Sequence, residues 1–169
     1  METMTSLRRW ISKTSTLIFL LLTTLGLVAG FSTFIPSTGG VILDNMGSVA
    51  DAQALLGSMS EAQKLAHFRI TLWLDMAFPL AYGGLFAGLA LRNFKTYGKW
   101  LALPALVVIP VDIIENIIQL VALSGSEDLL GVKSLLTPTK FMLFNVAGSI
   151  SLFSIALAVV RGIIARRAH

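Results

Sequence analysis

The chain has 169 residues, of which 55% are hydrophobic and only 13% charged. Soluble domains usually carry about 25% charged residues, so the water-facing surface of a globule this size cannot be built from that supply; a mean hydropathy of +0.80 points instead to a bilayer as solvent. The net charge of +4 does not indicate nucleic acid, because the basic residues flank apolar runs and form no single stripe, while the lack of cysteine removes disulfides, thiol chemistry and thiolate metal sites.

A bilayer core of roughly 30 Å takes about 20 apolar helical residues, since lipid cannot satisfy exposed backbone groups. Four windows qualify, at about 14–34, 70–91, 100–123 and 141–160. The chain therefore reads as one all-α domain over residues 1–169, an integral membrane four-helix bundle. Arg8-Arg9 ahead of the first window, with Leu27-Val28-Ala29-Gly30 near its end, also resembles a secretory signal. The run is longer than the usual apolar core of such a signal, so a retained span is preferred. The connection 35–69 is broken at Pro36, Gly39 and Gly40, after which residues 49–67 read as one or two short helices. Ser58 and Glu61 have the spacing of a capping box. This first loop is expected to be a helical extracytoplasmic lid.

Direction follows from Lys and Arg. Arg8, Arg9 and Lys13, then Arg92, Lys95 and Lys99, then Arg161, Arg166 and Arg167 place nine basic residues on one side. Lys64, Arg69, Lys133 and Lys140 place four on the other. Both termini are thus expected in the cytoplasm of a multi-pass protein of the inner or plasma membrane. Trp10 and Trp100 fit interfacial anchors on the cytoplasmic side and Trp73 on the opposite one.

Several polar residues fall where lipid should exclude them. Asp75 lies in the second window; Asp112, Glu115, Asn116 and Gln119 follow i, i+3, i+4, i+7 spacing in the third and share one helix face. Lys140 begins the fourth window, Asn145 lies just over a turn deeper, and Tyr82 shares the face of Asp75. An ionised side chain at the bilayer centre costs roughly 2.5–3.5 kcal/mol on insertion scales, so these groups must face the bundle interior. Lys140 is the nearest cation for the acids, with Arg69 a second candidate. Pro79, Pro104 and Pro110 interrupt helical hydrogen bonding, and Gly84 and Gly88 form a GxxxG pair that reads as internal packing before dimerisation.

No HExxH, GxSxG, Walker or dinucleotide-binding pattern occurs, and His67 is the one histidine away from the terminus. Neither cofactor nor metal is expected, since Lys140 among the acids argues for ion pairing. The expected function is an outward-facing polar pocket that binds a small amphipathic or lipidic molecule. Two alternatives stand beside it. One is a membrane enzyme with Glu115 as acid or base and Lys140 stabilising negative charge; the other is a structural protein whose cluster only fixes packing. Leu74-Asp75, Phe78-Pro79 and Tyr82-Gly83, then Asp112 with Glu115-Asn116, then Thr137 with Lys140 resemble a family of small bacterial four-span membrane proteins. The likeness covers roughly residues 58–160; it implies four-helix architecture and draws attention to these residues, but supplies no activity.

Overall fold

The computed structural model describes residues 8–94 and 96–167; Lys95 of the second loop and His169 lie outside them. The described residues are helical throughout their regular structure, with no strand. Seven helices are used below: α1 Thr14–Phe34, α2 Val49–Ser58, α3 Glu61–Ile70, α4 Phe78–Asn93, α5 Gly98–Leu101, α6 Leu103–Leu123 and α7 Leu130–Arg167. Four stretches are long and apolar enough to cross a membrane: Thr14–Thr38, Glu61–Asn93, Gly98–Leu123 and Leu130–Arg167. They run longer than the apolar windows of the sequence. At 1.5 Å per residue, the 38 residues of α7 extend about 57 Å.

The bundle has two unlike ends. At one, Arg8 donates to the Leu91 carbonyl, Arg92 to the Thr14 hydroxyl and Arg161 to the Asn93 carbonyl. The two tails and the α4–α6 connection therefore lie together (the tail end). At the other, the loop end, α2 closes over the end of α6 and the start of α7 through a core of Leu43, Ala52, Leu56, Ala122 and Leu130. The segment expected to form a helical lid caps this end of the bundle.

Two helices stand where one or two were expected, and their cap differs from the expected one. Ser58 is the last residue of α2 and its hydroxyl bonds the Leu55 carbonyl. The capping box lies two residues further on. Ser60 has the extended backbone an N-cap needs; it accepts from the Gln63 N–H at 3.3 Å, while Gln63 Oε1 accepts from the Ser60 N–H at 2.9 Å.

Toward the tail end the interior is built from small residues. Ala87, Ala90, Ala102, Ala105 and Ala147 bring α4, α6 and α7 close together. α1 is apolar all round and buries only Thr16 and Leu17 among its residues, so it lies against the outside of α4. Gly84 and Gly88 make that contact. A Cβ at Gly84 would touch Leu20, and one at Gly88 would fall 2.6 Å from the Ile11 carbonyl oxygen and 2.7 Å from Leu17 Cδ2. The GxxxG pair therefore serves packing within the chain. Gly88→Ala is expected to cost about 1–2 kcal/mol and to raise proteolysis of the 8–34 segment in detergent; unchanged cleavage would count against a tight α1–α4 seam.

Candidate functional site

The polar cluster begins with a local irregularity. Between α3 and α4 the chain makes one π-helical turn, Thr71–Asp75, in which the Met76 N–H reaches the Thr71 carbonyl at 3.0 Å. Pro79 sits at the start of α4 and has no N–H to give the carbonyl four residues back, that of Asp75. Asn116 of α6 supplies the missing donor, its Nδ2 lying 3.0 Å from the Asp75 carbonyl oxygen. The LDxxFP and DxxEN elements thus meet at one hydrogen bond. π-turns occur often at functional sites, where they redirect a side chain.

Around that joint, α6 and α7 bring acids and lysines together. Lys140 Nζ lies 2.7 Å from Glu115 Oε2, 3.3 Å from Asp112 Oδ1 and 3.2 Å from Asp44 Oδ2. Lys133 Nζ lies 3.4 Å from Glu115 Oε1 and donates to the Met46 carbonyl at 2.9 Å and the Thr137 hydroxyl at 3.1 Å. Thr137 in turn donates to Glu115 Oε1 at 2.5 Å. Tyr82 donates to Asp112 Oδ2 at 2.8 Å, and Gln119 donates to Asp44 Oδ1. Glu115, Asn116, Gln119 and Lys133 are at most 1% exposed, which makes this a sealed ionic network.

Seven of the eight residues singled out in the sequence are buried here: Asp75, Tyr82, Asp112, Glu115, Asn116, Gln119 and Lys140. Asn145 is not among them. It is exposed and donates to the Phe141 carbonyl of its own helix, because five residues beyond Lys140 is about 140° round the helix. Arg69 does not pair with the acids either; it is exposed and lines a separate groove. Lys133 takes the part expected of it. Lys133 and Lys140, read as loop and boundary charges, both lie inside α7, and Lys133, Thr137 and Lys140 share one face at i, i+4, i+7.

Asp44 is the unforeseen member. The short turn Leu43–Asn45 brings it from the first loop onto Lys140 and Gln119, and His67 Nε2 steadies the turn by accepting from the Leu43 N–H at 3.4 Å. Burial alone would raise the Asp44 pKa, but the charge of Lys140, hydrogen bonds from Gln119 and Lys140 and the charge of Lys133 outweigh it and hold the carboxyl below its ordinary 3.8. Asp44 is therefore ionised at neutral pH and bridges the loop to α7.

A cavity of about 100 Å³ lies beside the network, lined by Asp44, Asp75, Asp112 and Lys140 on its polar side and by Phe78, Tyr82, Phe141 and Phe144 on the other. Tyr82 meets Phe78 and Phe144 edge-on, with ring centroids 5.0 and 4.9 Å away. Glu115 lines none of it. The Asp75 carboxyl makes no hydrogen bond or ion pair among the described residues; Asp75 is 6% exposed, and its oxygens are not fully enclosed but face the cavity. A larger groove of about 470 Å³ runs between Phe34, Ser37, Ala66, Arg69, Ile70, Trp73 and Leu74. It shares no wall with the ionic network, and Arg69 is its one charge.

Four membrane-length apolar helices around a buried network of ion pairs, with one unpartnered acid on a ring-walled cavity, define the class of this chain. Comparison with protein-family models, curated proteins and solved structures finds no match to it.

Proposed function

We propose that this is a multi-pass protein of the inner or plasma membrane, with both tails cytoplasmic, whose cavity between α4, α6 and α7 opens toward the exported side and binds a small amphipathic molecule. Orientation rests on the basic residues. Lys133 and Lys140 are consumed in buried ion pairs, so the loop end keeps only Lys64 and Arg69 as outlying basic residues, against eight among the described residues of the tail end. The strongly exposed Trp10 and Trp100 at the tail end and Trp73 at the loop end suit the two interfaces.

Asp75 carries the binding reading. A network that only fixed packing would gain nothing from a carboxyl that faces a cavity and has no partner there. Placed on a cavity beside aromatic rings, the same group can hold a ligand. The enzymatic alternative is less well supported, because Glu115 is held by Lys133, Lys140 and Thr137 and is out of reach of the cavity. The turn Leu43–Asn45, latched by Asp44, serves as the part of the lid nearest the cavity.

The reading predicts a trade of function for stability. Asp75→Leu should raise the thermal midpoint, while Phe144→Trp should fill the cavity; both should empty the protein of any small amphiphile that mass spectrometry detects after gentle purification of the wild type. Identical small-molecule content in wild type and both variants would refute the binding role. It would favour the network as packing alone.

A further inference from the structure

We infer that the head group this cavity accepts is a small organic cation, an alkylammonium, whose hydrocarbon tail rests on the apolar outer face beside Phe141. The inference rests on the pocket reading above and adds the ligand's charge and size.

Charge comes first. Asp44, Asp75, Asp112 and Glu115 face Lys133 and Lys140, four carboxyls against two ammonium groups. Both lysines are engaged: Lys133 on Glu115, and Lys140 on Asp44, Asp112 and Glu115. Neither ion-pairs with Asp75. An anionic head would face further carboxyls, and a neutral one would leave Asp75 without an ionic partner. A cation placed at Asp75 gives the unpartnered carboxyl its partner. Phe78, Tyr82, Phe141 and Phe144 supply aromatic surface of the kind that attracts ammonium groups, and Lys140 Nζ already lies 5.3 Å from the Phe141 ring centroid.

Size comes second. The cavity of about 100 Å³ equals roughly three water molecules at ~30 Å³ each. That admits an ammonium group and one or two carbons. Pockets that enclose whole ligands typically measure about 300–1,000 Å³, so the rest of an amphiphile must lie outside. Phe141 both lines the cavity and is 43% exposed, so its ring joins the cavity wall to the apolar outer face. The head enters polar surroundings while the tail stays among exposed apolar side chains.

The test uses the full chain in neutral maltoside micelles with octylamine, octanol and octanoate, measured by isothermal titration. Octylamine should bind at least ten-fold more tightly than the other two. Asp75→Asn, which keeps size and breaks no hydrogen bond, should remove that preference and leave octanol unchanged. If octylamine and octanol bind equally, the cation is refuted while the pocket stands. If no probe binds, both fail. Octylamine binding that survives Asp75→Asn undiminished is partition into the micelle and overturns the assignment; should that variant not fold, the wild-type ranking of the three probes decides alone.

Discussion

Lys140→Met is expected to be the most damaging single change in this protein, lowering stability by about 3–5 kcal/mol, the usual cost of leaving buried charges without their partner. Methionine fills a similar volume, so the loss is electrostatic and not a cavity effect. Three carboxylates, from Asp44, Asp112 and Glu115, would lose their shared cation. The first loop would lose its latch in the same step, because Gln119 would be the one direct partner left to the Asp44 carboxyl among the described residues. Thermal unfolding in detergent measures the first effect, and proteolysis between residues 39 and 60 the second. Lys140→Arg should keep more of both, since it preserves the charge. A Lys140→Met protein that melts with the wild type and keeps its loop protected would refute the central place given to this residue.

The second large effect concerns a backbone group. Asn116→Leu should cost about 2–3 kcal/mol by leaving the Asp75 carbonyl buried with no donor. Pro79→Ala restores an N–H at the position from which a regular helix would serve that carbonyl. The two changes should therefore couple: Pro79→Ala alone brings little benefit, yet in the Asn116→Leu background it should recover about 1 kcal/mol. Strict additivity in the double-mutant cycle would mean that Asn116 does not substitute for the helical donor missing at Pro79.

The parts of this site that were legible in the sequence obey helical periodicity. Asp112, Glu115, Asn116 and Gln119 could be placed on one inward face because polar groups repeating along an apolar helix have one direction to point. Two residues near a span boundary differ from expectation because helix geometry, not proximity, sets their direction. Asn145 is close to Lys140 in sequence but points elsewhere, and Lys133, expected as a loop charge, shares a helix face with Thr137 and Lys140. Asp44 was beyond reach. Nothing local distinguishes it from Asp51, and only the tertiary path of the first loop brings it to Lys140. The alanine contacts that pack the tail half were not legible at all.

The pairing of α6 with α7 also bears on how a chain with four membrane-length apolar helices would enter a bilayer. Alone, α6 would carry Asp112 and Glu115 into lipid, and α7 would carry Lys133 and Lys140; each charge would meet an insertion cost of roughly 2.5–3.5 kcal/mol at the centre. The two helices are joined by only the six residues 124–129. Entering as a hairpin, they neutralise each other before either must face lipid. Asp44 adds to that neutralisation only where the folded first loop sets it beside Lys140, so the loop and the hairpin complete one charge balance between them.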